Sequence, residues 1–178
     1  TISSLTITRP SDEGFVGLFG AVDMPTDLPR IYDLNLIGLT IRIEDAVLDG
    51  AAVTGGLIGM LRSGSLEKIN VTGQIDVPVN NLEVPSATGG LVGIANIGTR
   101  RRQYETHVDI DGAALAGGVV GAVLPVAIDS EPREAQFNNI VATGSVSGVV
   151  IAGGVIGLGV GVELTNATAT GSVSGGAV

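Results

Sequence analysis

The residues Gly56-Leu57-Ile58-Gly59 form a signature of two large apolar residues between two glycines. The signature occurs five times along the chain, and in the last four copies a further glycine precedes it. The other copies are Gly14-Phe15-Val16-Gly17, Gly90-Leu91-Val92-Gly93, Gly118-Val119-Val120-Gly121 and Gly154-Val155-Ile156-Gly157. A pattern that returns in this way is typical of a repeat protein, in which each copy is one structural unit.

A second glycine signature alternates with the first. Apolar residues stand two and four positions before its glycine, as Val71 and Ile69 do before Gly73, and Ile75 follows two positions after it. A period of two predicts a strand with one buried face, and the glycine is predicted to bend the chain. The five copies centre on Gly38, Gly73, Gly112, Gly144 and Gly171, and the best-matched pair is Ala-Thr-Gly-Ser-Val-Ser-Gly at 142–148 and 169–175.

The composition limits the kind of core that these strands can build. Hydrophobic residues make up 44% of the chain, but aromatic residues only 3%, and 28 of the 178 residues are glycine. Such a chain must bury small aliphatic side chains in thin layers, and one short repeat cannot bury its apolar face without a neighbour. The sequence therefore predicts an all-β fold, a single β-solenoid domain of about five glycine-punctuated repeats over residues 1–178. We also expect the chain to be a piece of a longer protein.

The charge balance excludes one class of partner. Lys and Arg number 9 against 18 Asp and Glu, so the net charge is -9. A chain this acidic repels phosphate backbones, and no nucleic-acid partner is expected. Cysteine is absent, which excludes disulfides and thiolate metal sites.

The repeats resemble the GLUG-motif repeats of large secreted or surface-attached bacterial proteins, including adhesin-like chains and the non-catalytic part of some immunoglobulin A peptidases. The resemblance is carried by Thr-Gly-Gly-Leu-Ile-Gly at 54–59, Thr-Gly-Gly-Leu-Val-Gly at 88–93 and the two Ala-Thr-Gly-Ser-Val-Ser-Gly stretches. It covers nearly the whole chain, although Val119 and Val155 replace the usual leucine and Glu13 replaces the leading glycine of the first copy. It implies a non-catalytic extracellular module at the cell surface, without a cofactor, that serves as a stalk or as an adhesive surface for a glycan or a protein.

Two polar clusters are candidate binding sites. The run Arg100-Arg101-Arg102, expected in a loop before Tyr104, has the chemistry to bind an acidic glycan or a sulfate. The residues His107, Asp109 and Asp111 are two positions apart and so share one face of a strand. Oxygen and imidazole groups at this spacing suggest a metal site, with calcium as the candidate ion, or a carboxylate pair for glycoside cleavage. The alternative is a solvated face opposite Val108 and Ile110.

Two further hypotheses remain open from the sequence, and a third is not favoured. Exposed strand edges at the ends of a repeat stack would favour a self-assembling filament or surface-layer component. A polysaccharide-active β-helix enzyme would use His107, Asp109 and Asp111. The uncharged stretch 137–162 is long enough for a membrane helix, but its polar residues and its copy of the first signature favour strands, so no membrane insertion of this segment is expected.

Overall fold

The structure is a computed structural model, and it describes residues 1–9, 14–23, 30–44, 52–78, 86–96, 100–124 and 135–176. These residues form seventeen strands and no helix, and every strand pair in them is parallel. The strands are β1 (Ile2–Ser3), β2 (Thr6–Arg9), β3 (Gly14–Val16), β4 (Phe19–Val22), β5 (Arg30–Ile43), β6 (Ala52–Gly55), β7 (Ile58–Leu61), β8 (Ser65–Asp76), β9 (Ala87–Gly89), β10 (Val92–Asn96), β11 (Arg100–Gly117), β12 (Val120–Leu124), β13 (Ala135–Ala142), β14 (Val146–Gly153), β15 (Ile156–Gly159), β16 (Val162–Ala169) and β17 (Val173–Gly175).

The larger sheet has twelve strands and is built around the long strands β5, β8 and β11. These three pair in register, so that Leu36, Val71 and Thr106 lie side by side. The sheet branches beyond β11: its first part pairs with β13, and its last part pairs with both β14 and β9. Strands β9, β6 and β3 then continue one branch, while β16 and β17 follow β13 and β14.

The smaller sheet has five strands in the order β15-β12-β10-β7-β4. Its strands begin inside the first glycine signature, and the register aligns Ile58 with Val92, Val92 with Val120 and Val120 with Ile156. The last four copies of the first signature are therefore structurally equivalent, as the sequence predicts.

One apolar core joins the two sheets. Leu57 and Leu91 are fully buried, and so are Val71 on the large sheet and Ile58 on the small one. The chain between the sheets is also tied from one repeat to the next, because the Leu57 N–H donates to the Leu91 carbonyl over 3.0 Å. Stacking these small aliphatic side chains buries a continuous apolar surface, which no single repeat could do.

The first glycine of each Gly-Gly pair is required by the close approach of backbone atoms. A Cβ on Gly55 would lie 2.0 Å from the Ile58 carbonyl oxygen, and one on Gly89 would lie 2.0 Å from that of Val92. Since the obstructing atoms belong to the backbone, no side-chain movement would make room.

The predicted all-β class fits the described residues, but the predicted β-solenoid is wrong. The strands form one branched parallel sheet and a second, five-stranded one, a half-barrel arrangement rather than a clear solenoid. The physical reason lies at the second signature. Strands β5, β8 and β11 continue through Gly38, Gly73 and Gly112, so these glycines do not end short strands at corners. They lie inside strands of 14, 12 and 18 residues.

Two copies of the signatures were also assigned to the wrong residues. Phe19 pairs with Ile58, so the first copy of the first signature is Gly17-Leu18-Phe19-Gly20, and Gly14 pairs instead with Ala52. In the second signature, the residue paired with Gly73 is Val108, and Gly112 lies four positions further along β11. In both cases the sequence pattern predicts a glycine that lies three or four positions away from the structurally aligned residue.

Candidate functional site

The outer face of the large sheet carries the polar cluster of β11. Tyr104, Thr106, Val108 and Ile110 are buried, whereas Glu105, His107, Asp109 and Asp111 alternate with them and are exposed. The predicted solvated face opposite Val108 and Ile110 is therefore confirmed. The alternation follows from the two-residue period of an extended strand.

The side chains of His107 and Asp109 bind the segment between β13 and β14. His107 accepts or donates a hydrogen bond through Nδ1 to the Thr143 hydroxyl, while its Nε2 lies 2.9 Å from Glu105 Oε1. Asp109 Oδ1 accepts a hydrogen bond from the Ser145 backbone N–H over 2.8 Å. These hydrogen bonds satisfy polar groups of residues 143–145, which lie between β13 and β14. Both His107 and Asp109 therefore have a structural role.

The metal hypothesis gains no support from this geometry. Within the described ranges, no group of three His, Asp or Glu side chains is close enough to hold a metal ion. The structure brings His107 to Glu105 and Thr143 instead of to Asp109 and Asp111.

The arginine run lies in strand β11 and not in the predicted loop. Arg100 pairs with Ser65, Arg101 with Leu66 and Arg102 with Glu67. The side chains of Arg100, Arg101 and Arg102 lie outside what the structure describes, so the binding site predicted from them stays a prediction.

Tyr104 is part of the core. Its side chain is 2% exposed, and its hydroxyl donates a hydrogen bond to the Leu66 carbonyl. The ring therefore contributes to the core, and the ligand-binding role predicted for Tyr104 stays a prediction.

The sequence reasoning missed a column of five residues in the left-handed backbone conformation. Each has φ between 52° and 61°, and each occupies the equivalent position in β5, β8, β11, β13 or β16. We call this set the left-handed column: Asp33, Lys68, Gln103, Asn139 and Asn166. The conformation places two buried residues three positions apart, as with Leu66 and Ile69, so it bends every strand at the same point.

A sequence signal for this column exists. Each member stands five positions before the second-signature position: Lys68 before Gly73, Asn139 before Gly144 and Asn166 before Gly171. Asn tolerates the left-handed region better than most residues. Lys68 and Gln103 do not share that preference, so residue type alone does not reveal the pattern.

An open groove of about 310 Å³ lies beside the left-handed column. It crosses β8, β11 and β13, and its floor includes Ile69 and Tyr104. The rest of its lining is formed by the exposed residues Lys68, Gln103, Glu105, Asn139 and Val141 and by the half-buried Asn70. The groove is therefore built from equivalent positions of three successive repeats.

These features define the class of protein as an all-β protein of parallel strands in two sheets, with recurring glycine signatures and an open groove on the larger sheet. No protein-family model matches the chain, and no curated protein matches it either. The stretch 137–162 runs through β13, β14 and β15 to the start of β16, and the described part of the chain contains no helix that could cross a membrane.

Proposed function

We propose that this chain is a non-catalytic module of a bacterial surface protein, located outside the cell, which acts as a stalk or as an adhesive surface for a glycan or a protein. The observation that carries the proposal is the left-handed column with its groove. Five neighbouring strands repeat the same polar position, and three of them line one open surface. A repeated outer surface is the usual binding feature of repeat proteins.

The packing of the strands supports a role as a stalk or as a support for a binding surface. Parallel strands pair from β1 to β16 across the large sheet, and one apolar core follows them. Such an array is stiff, because each repeat is bonded to both neighbours. The net charge of -9 favours solubility of an exposed surface. The resemblance to GLUG repeats supports the extracellular location.

The arrangement of the polar residues also favours binding over catalysis. Glu105 and His107 bind each other, and Asp109 binds the Ser145 backbone. These side chains hold the sheet together. For this reason, no acid or base chemistry is assigned to His107, Asp109 and Asp111.

The test is a binding screen of the purified chain on glycan and host-protein arrays, with and without calcium. A reproducible set of glycan or protein ligands is the expected result. A parallel assay on plant and bacterial polysaccharides should show no turnover. Binding to none of the arrayed molecules would reject the adhesive role, and polysaccharide cleavage would reject the non-catalytic one.

A second candidate function is self-association, and the end of the large sheet favours it. Ile140, Ala142 and Val146 are buried, but their partners Ala167, Ala169 and Val173 on β16 and β17 are exposed. An exposed strand edge with apolar neighbours is able to pair with a second copy. Sedimentation over a hundredfold concentration range would show growing assemblies if this function holds, and a constant monomer if it does not.

A further inference from the structure

We infer that copies of this chain join head to tail, with β16 and β17 of one copy pairing in parallel with β1 and β2 of the next. The inference rests on the second candidate function, self-association, and deepens it by naming the two edges that meet, their direction and their register. The stalk or adhesive role is a separate proposal and does not depend on it.

The first observation is that two inward-facing columns of the large sheet are buried along their length and open at both ends. Strand pairing aligns their inner members, which are at most 2% exposed: Leu36, Val71, Thr106 and Ala142 in the first column, and Ile41, Ile75, Ile110 and Val146 in the second. At the end formed by β1 and β2, Ile2 and Ile7 are half-buried. At the other end, Ala169 and Val173 are exposed. Each end therefore has apolar residues that one more strand would cover.

The second observation is the direction of the two edges. In the described part of the chain, β1 and β2 pair only with β5, while β16 pairs only with β13 and β17 only with β14. All these ladders are parallel. A second copy shifted along the stack without rotation thus presents β1 and β2 in the parallel sense, with Ile2 following Ala169 and Ile7 following Val173. A two-fold arrangement of like edges would either reverse the strand direction or turn the apolar face of one copy outward.

The third observation is a series of backbone hydrogen bonds that leads to β17. The Val146 N–H donates to the Ser172 carbonyl over 2.9 Å, and β11 makes the same bond to β14 one repeat earlier. In each case the acceptor stands one position before the next member of the second column. The next step of the series joins the Val173 N–H to the carbonyl of Thr6 in a second copy, because Thr6 precedes Ile7. The backbone of β2 therefore continues the ladder that ends at β17.

The fourth observation is that both edges have few charges. Residues 135–176 contain one charged residue, Glu163, although the whole chain has 9 basic and 18 acidic residues. Strands β1 and β2 also contain one, Arg9. Natural proteins use charged side chains to keep exposed strand edges from pairing. The columns that end at Ala169 and Val173 lack this protection, so a second copy meets an apolar surface there.

Introduced cysteines report the register of the joint, because the chain has none of its own. Thr8 and Ser174 are exposed, and each directly follows an end member of the second column, Ile7 or Val173. In the inferred joint they lie on neighbouring strands about 4.8 Å apart, a distance that a disulfide spans. A mixture of Thr8→Cys and Ser174→Cys chains should therefore form a disulfide-linked dimer under mild oxidation. Gln74→Cys, at an exposed position inside β8, is the matched control and should link to Ser174→Cys about tenfold less.

Val173→Lys tests the apolar end of the second column without a cross-link. A charge at this edge opposes strand addition, so the dissociation constant measured by sedimentation should rise about tenfold or more. The monomer should keep its fold, because Val173 is 49% exposed. Val141→Lys is the matched control, since it adds the same charge at an exposed valine of β13, which is paired on both sides. It should change the dissociation constant by less than about twofold.

The outcomes separate this inference from self-association in general. Linkage of Thr8→Cys to Ser174→Cys, together with weaker assembly of Val173→Lys, supports the inference. Assembly without that linkage, or linkage of Ser174→Cys chains only to one another, overturns it and leaves self-association in place. A parent chain that stays monomeric over the whole concentration range overturns both and leaves the adhesive function to the array screen. If thermal unfolding shows that Val173→Lys does not fold, the cysteine variants decide the question, because they leave Val173 unchanged.

Discussion

The two glycine signatures look alike in the sequence but differ in the structure. The glycine that precedes the first signature is confined by its own turn, since a Cβ on Gly89 or Gly117 would lie within 2.0 Å of the Val92 or Val120 carbonyl oxygen. The second signature is also confined, because a Cβ on Gly73 or Gly144 would lie within 2.0 Å of the Leu39 or Val108 carbonyl oxygen of a neighbouring strand, yet β11 has Val108 at this position. The obstructing atom therefore belongs to the same turn in the first case and to a neighbouring strand in the second, where the need for glycine differs from strand to strand.

This difference shows what a recurring glycine means in a repeat protein. Where the chain passes between two sheets, backbone atoms of the same turn meet, and the last four copies all have the glycine. Where the strand continues through the position, a β-branched residue is able to pack into the core, as Val108 does with 1% of its surface exposed. Recurrence alone does not separate these two cases.

Gly117→Ala should have the largest effect. The new methyl group would lie 1.9 Å from the Val120 carbonyl oxygen and 2.6 Å from the Gly157 backbone nitrogen, so the turn itself must move. We expect a loss of about 3 kcal/mol or more in the free energy of unfolding, measured by urea denaturation. Gly175→Ala is the matched control, because its nearest contact would be 3.7 Å, and it should change stability by less than about 0.5 kcal/mol. Equal stabilities of the two variants would remove the steric account of the first signature.

Val108→Gly should have an intermediate effect. It restores glycine to the second signature but removes a buried side chain and adds backbone freedom to the unfolded chain. Together these terms predict a loss of about 2–3 kcal/mol in the same urea assay.

The control for Val108→Gly is Val149→Gly, at an exposed position of β14, which should cost about 1 kcal/mol because it changes mainly the backbone term. A Val108→Gly variant as stable as the parent protein would mean that glycine is favoured at every second-signature position, and the contrast between the signatures would disappear.

Thr88→Val should have the smallest effect and the opposite sign. The Thr88 hydroxyl is buried and has no hydrogen-bond partner, and in the same column Val16 pairs with Thr54, which pairs with Thr88. Replacing an unsatisfied hydroxyl by a methyl group should stabilise the protein by about 1 kcal/mol.

Thr106→Val provides the contrast for Thr88→Val. The Thr106 hydroxyl donates a hydrogen bond to the Gly118 carbonyl over 3.0 Å, so its removal should destabilise the protein by about 1 kcal/mol. Thermal unfolding of the pair is sufficient, since only the sign matters. A lower melting temperature for Thr88→Val would show that its hydroxyl has a partner in solution.

Part of the candidate site was predictable from the sequence, and part was not. The alternation that exposes His107 and Asp109 follows from the strand pattern and was correctly predicted. The strand position of Arg100, Arg101 and Arg102 was not, because three consecutive charged residues are typical of a loop and the pairing of β11 with β8 and β13 makes them part of a strand. The groove was missed altogether, since Lys68 and Gln103 have no sequence preference for the backbone conformation that they adopt.

Three features could be predicted from the residues alone: the all-β class, the buried alternation around Ile69 and Val71, and the equivalence of the last four copies of the first signature. These are local properties, because each strand's period and each turn's steric limits are set by neighbouring residues. Only the tertiary structure decided that two parallel sheets replace a clear solenoid, that Val108 aligns with Gly73 and that the left-handed column lines a groove. The register between strands depends on how side chains from residues far apart in the chain pack together, and that packing is not written in any single repeat.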